Sequence, residues 1–235
     1  MELLIAEPRR IKNDPPPFRG APMFSAIAND MVEMVCLLII GGAAVNFLNK
    51  RWKYGRSPLQ AVVGRQSLEI MEILIEAGAD VNGVPAWNCG ATAFQIAAAQ
   101  GNIGIVKRLV DLKARVNAPG ARKNGRTALE AAAEHGRIDV VQLLLSCGAD
   151  TQLTERGQCQ FIRAIQLATR EGHATTAGLL RNSREWTEKD EEVTKRISSE
   201  GEIEDWEDET ESSEGVEDLE DGIDDLGGRD GRLGR

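Results

Sequence analysis

The chain is poor in the side chains that most often carry chemistry. Its 235 residues include two histidines and four cysteines, and aromatic residues make up 4% of it. Cys36, Cys89, Cys147 and Cys159 stand at no metal-ligand spacing, and four scattered thiols suit a reducing compartment. His135 directly precedes Gly136 and His173 directly follows Gly172, so both are read as turn residues rather than as acid–base groups. No glycine-rich loop follows a strand pattern, and no serine or cysteine sits in a nucleophile context. Catalysis, a bound metal and a cofactor are therefore not expected. Long apolar runs are missing too. The richest stretch, Met34 to Val45, falls short of the roughly 20 residues that cross a bilayer. Met1 is followed by ELLIAEPRR, without a basic leader region or a small-residue cleavage site, so an intracellular protein, cytoplasmic or nuclear, is expected and no membrane association.

Charge is divided unevenly. Residues 185–235 hold 21 of the 37 acidic residues and 6 of the 28 basic ones, which leaves residues 1–184 with 16 acidic and 22 basic. A segment so acidic and so poor in aromatics cannot bury enough apolar surface to fold alone. Residues 185–235 are therefore expected to be a disordered acidic tail, with a helical extension conceivable around REWTEKDEEVTKRI. Ile203, Trp206, Val216, Leu219, Ile223 and Leu226 punctuate the tail, the last four at helical spacing. That pattern suits either a solubilising tail or a docking or effector segment. The final GGRDGRLGR follows an acidic run, so nucleic acid is not expected as a partner.

What the chain does have is a repeat. SPLQAVVGRQSLEIMEILIEAGADVN from Ser57 is echoed by TAFQIAAAQGNIGIVKRLVDLKARVN from Thr92 and by TALEAAAEHGRIDVVQLLLSCGAD from Thr127. Looser copies open at Ala21 and Arg163, so the anchors 21, 57, 92, 127 and 163 are spaced 36, 35, 35 and 36 residues apart. The anchor Ser or Thr can cap a helix, and Pro58 suits a first helical position. Leu129, Ala132 and Ala133 give a short first helix a small-residue face, and Gly136 ends it. Ile138, Val141, Leu143, Leu144 and Leu145 line a second helix that Gly148 ends.

Helix, turn, helix and Gly-Ala-Asp-Val-Asn resemble the ankyrin repeat, whose Thr-Pro-Leu-His-x-Ala signature is similar to SPLQAV and TALEAA here. The usual period is about 33 residues. The extra residues fall in GVPAWNCGA and APGARKNGR, as in the lengthened units of fungal ankyrin arrays. The resemblance implies an all-α ankyrin-repeat solenoid over residues 15–184 with extended loops, a partial repeat over 1–14 and the acidic tail over 185–235. Several positions depart from the pattern. Asp30 and Gln66 stand where Gly136 does, and Lys113 stands where Gly148 does.

A solenoid of this family implies a non-catalytic scaffold, here read as a monomer, that binds a protein partner of unspecified identity along the first helices and loop tips. The corresponding candidates are Arg65, Gln100 and His135 at the first-helix ends. Trp52, Tyr54, Trp87, Arg122 and Lys123 are the candidates in the loops. Trp52 and Trp87 occupy matched loop positions, so the rings either bind a partner or stiffen loop against loop. The alternative reading makes the chain a transcription or signalling regulator whose acidic tail is the effector.

Overall fold

The computed structural model describes residues 21–48, 55–86 and 89–200. Among them are eleven helices and no strand. They pair as α1 (Ala21–Ala28) with α2 (Val32–Ile40), α3 (Pro58–Arg65) with α4 (Leu68–Glu76), α5 (Ala93–Gln100) with α6 (Ile103–Asp111), and α7 (Ala128–Glu134) with α8 (Ile138–Ser146). α9 (Glu155–Arg170), α10 (Ala174–Asn182) and α11 (Glu188–Glu200) follow. First helices stack in series, α1 on α3, α3 on α5, α5 on α7 and α7 on α9.

Each repeat starts for the same local reason. Ser57, Thr92 and Thr127 accept a hydrogen bond from the backbone N–H three residues on, and the side chain at that position accepts one from the anchor's own N–H. This capping box satisfies two backbone donors that a helix start otherwise leaves unpaired. Gln60 and Gln95 complete the box and then reach outward. Gln60 Nε2 donates to the carbonyls of Gly83 and Val84, at 3.2 Å each. Gln95 Nε2 donates to those of Ala118 and Pro119, at 3.0 and 2.8 Å. A helix start and the connection that leaves the same repeat are thereby fixed together.

A second ladder joins one repeat to the next. The side-chain amides of Asn46, Asn82 and Asn117 donate to the carbonyls of Gly78, Lys113 and Gly148. Their carbonyl oxygens accept from the backbone N–H of Asp80, Arg115 and Asp150, at 2.8 Å each. The asparagine that ends each Val-Asn pair is thus the rivet between neighbours. The core consists of small and branched residues. Ala97, Ala98, Ala132 and Ala133 let first helices approach closely, while Ile70, Leu74, Ile105, Leu109 and Leu144 fill the space beneath.

The backbone bends left-handed after the helices even without glycine. Gln66 and Lys113 have φ of 62° and 64°, beside 65° at Gly136 and 82° at Gly148. The turn is imposed by the packing on both sides, against the steric cost of a side chain there.

Two expectations are corrected. The fifth repeat does not open at Arg163. Its first helix is the sixteen-residue α9, capped by Thr154, whose hydroxyl accepts from Gly157 N–H. No breaker interrupts the apolar pattern of Cys159, Phe161, Ile162, Ala164 and Ile165, so helix extends through the region read as a connection. Cys159 consequently lies buried in a helix. The folded part also continues past residue 184. α11 falls on the helical extension anticipated around REWTEKDEEVTKRI, but it packs on α9 and so belongs to the folded part rather than to the tail. Val193 is buried and Ile197 partly so, four residues apart on one helix face. The partial repeat over 1–14 and the tail beyond 200 lie outside the described residues.

Candidate functional site

The structure gathers the sequence candidates into two groups. Arg65 and Gln100 end α3 and α5, and His135 caps α7 at the equivalent position, so three successive repeats present them in a row. Arg65 and His135 are exposed and Gln100 is half-buried. Bonds between repeats hold the backbone next to Arg65 and next to Gln100, whereas His135 bonds within its own helix. Gln100 Nε2 donates to Gly64 O at 2.7 Å, and Arg137 Nε donates to Ala99 O at 3.1 Å. A ring nitrogen of His135 lies 3.0 Å from Ala131 O on its own helix.

Ion pairs continue that edge of the array. Glu134 is 3.1 Å from Arg126 and 3.4 Å from Arg170, and Arg170 also reaches Glu171. Beneath them lies Glu130, which takes the place of Gln60 and Gln95 in the third capping box. Being a carboxylate it cannot donate to a loop. It faces Arg163 of α9 at 3.5 Å instead. Burial pushes its carboxyl up, and Arg163 offsets part of that shift.

Arg122 and Lys123 belong to the second group, in the connection between α6 and α7, and both are exposed. That connection doubles back tightly. A Cβ at Gly125 would collide with the backbone of Ala121, so only glycine fits the crossing. Cys89 N–H of the preceding connection donates to Lys123 O at 2.8 Å. Between the two connections lies a cavity of about 320 Å³ lined by Val84, Pro85, Arg115, Pro119, Ala121 and Arg122, among others. Sequence reasoning missed Arg115, Val84, Pro85 and Pro119. Their signal was the lengthened, proline-bearing loop present in two consecutive repeats. Trp52, Tyr54 and Trp87 lie outside the described residues.

At the C-terminal end, Asp190 is fully buried. Its carboxylate accepts two hydrogen bonds from Arg184, one from Gln158 Nε2, and one each from the backbone N–H and hydroxyl of Thr187. Arg184 also lies over the Phe161 ring, 4.2 Å from its centroid. The Arg184 bonds above all hold the Asp190 carboxyl far below the usual carboxylate range. These bonds tie α11 to α9 and to the end of α10 as an architectural lock. Among the described residues no cluster of His, Cys, Asp or Glu is placed to hold a metal ion, and no helix is long and apolar enough to cross a membrane.

Stacked helix pairs, αL turns between them and a side-chain ladder linking neighbours define a helical-repeat solenoid. The family model for ankyrin repeats (3 copies) matches residues 22–119 and 83–155, and the chain belongs to the ankyrin repeat family. Repeats of this family generally act as protein–protein interaction modules and are typically non-enzymatic. No curated protein matches the chain.

Proposed function

We propose that this protein is a non-catalytic scaffold that binds a protein partner across the first-helix ends and the loop tips. The observation that carries the reading is the register of Arg65, Gln100 and His135. The same surface position recurs in three repeats, each with a different side chain, and bonds between repeats fix the backbone beside the first two. A rigid frame with variable exposed side chains suits recognition, because little order has to be gained on binding. We read the protein as intracellular and monomeric before it meets its partner.

The test is crosslinking of the full chain in cells, with the linked sites mapped by mass spectrometry. Crosslinks to a partner should concentrate near Lys123 and the connections. The partner should be lost in an Arg65→Ala, His135→Ala, Arg122→Ala variant that melts like the parent. A partner retained by that variant, or linked only through residues beyond 200, sinks this reading. The second outcome favours the acidic tail as the effector, a reading supported by its net charge and its apolar punctuation. A reporter fused to residues 201–235 checks it.

A further inference from the structure

The cavity between the α4–α5 and α6–α7 connections is built, not incidental. One wall, Gly83 to Ala86, is held from inside by Gln60, and the other, Ala118 to Arg122, by Gln95. Asn82 sets the base through the backbone N–H of Arg115. The lining is mostly apolar, and Val84 is 69% exposed between partly buried neighbours. Arg115 and Arg122 are the charged groups of the lining, which contains no carboxylate. Among the described residues neither guanidinium has an ion pair, and exposed Lys123 adds a third positive charge next to Arg122.

Each feature narrows the occupant. The volume is at the lower end of the range for ligand sites, roughly 300–1,000 Å³, which suits one or two side chains. Apolar walls with few polar groups do not match a phosphate or a sugar, which need converging donors. Guanidinium groups pair side-on with carboxylates. The α8–α9 connection is built differently, because Glu130 replaces the clamping glutamine there and α9 starts at Glu155.

We propose that this cavity docks a short acidic segment of the protein partner. One aliphatic side chain enters between Val84, Pro85 and Pro119, and an Asp or Glu within three residues of it pairs with Arg115 and Arg122. The proposal rests on the scaffold reading and adds the chemistry of the partner's motif.

The experiment selects binders to the full chain from a random 12-residue peptide-display library and measures the enriched peptides by fluorescence anisotropy. Enriched sequences should share an aliphatic residue within three positions of an acidic one. Their affinity should fall at least tenfold in the Arg115→Glu, Arg122→Glu variant and at least threefold in Val84→Ser. It should be unchanged in Asp139→Ala, on the exposed face of α8, and should weaken as salt is raised from 50 to 500 mM. All the substituted residues are exposed, and a thermal melt confirms that each variant is folded. Enriched peptides without acidic residues, or with full affinity for the Arg115→Glu, Arg122→Glu variant, overturn the proposal. Peptides that depend on Arg65 and His135 instead overturn it while leaving the scaffold reading intact. A library that yields no binder also overturns it, and the crosslinking experiment then decides the scaffold reading separately.

Discussion

Lys113 has a left-handed backbone, φ 64°, at a position where Gly148 serves the next repeat. Its carbonyl accepts from Asn82, a bond that does not require a side chain at 113. A non-glycine residue there costs about 1–2 kcal/mol, and glycine's extra freedom in the unfolded chain offsets about 0.5–1 kcal/mol of the gain from replacing it. Lys113→Gly should therefore stabilise the protein by about 0.5–1 kcal/mol in urea unfolding. Asp190 answers to pH. Because its folded carboxyl is held below the ordinary value of about 3.9, its contribution is present above that pH and is lost as pH falls through the folded value. Asp190→Asn should cost about 3 kcal/mol, the low end for breaking a buried pair. The gap between parent and variant in the hydrogen-exchange protection of α11 should stay constant from pH 7 to about 4 and close below it.

The three capping boxes show how much of each element was legible. Ser57, Thr92 and Thr127 announced their helices, because a hydroxyl before an apolar-periodic run has one common use. The glycines Gly136 and Gly148 announced the turns. The Asn-to-backbone ladder was visible as a recurring Val-Asn, yet its use depends on a partner more than thirty residues away, which no local pattern shows. The start of α9 was misread, and α11 was anticipated as a helical extension but not as a packed element, for opposite reasons. α9 carries apolar residues that continue through a region where the repeat period placed a loop. The acidic residues of α11 hid only its packing through Val193 and Ile197, and its anchor is a buried ion pair formed with Arg184. Of the candidate site, the first-helix ends followed from the repeat register, whereas Arg115 emerged only when two long loops were placed side by side. Close helix packing gives a direct check. Ala132 has no exposed surface, so Ala132→Leu should cost on the order of 1–3 kcal/mol by overpacking, read from thermal unfolding.

The first and last described repeats differ on their outer sides. Met34 of α2 is 40% exposed, although Ile70, Ile105 and Val140 at the equivalent positions are essentially buried. The last repeat has α11 packed across α9. Cutting the chain after Glu200 should leave urea unfolding unchanged. Cutting after Arg184 uncovers what Val193 shields and removes the carboxylate that Arg184 pairs with. It should lower stability by at least about 2 kcal/mol, since burying one valine side chain alone contributes about 1.5–3 kcal/mol. Equal midpoints for the two truncated chains would show α11 to be an ornament rather than a cap.

The Asn82 rivet has a mechanical side. Its two hydrogen bonds lie at the base of the cavity whose walls belong to consecutive repeats, so the gap between those walls varies with the angle at which one repeat leans on the next. A peptide seated there works as a wedge. It fixes that angle, and every repeat beyond it inherits the new direction, as the far end of a folding rule moves when a single joint is set.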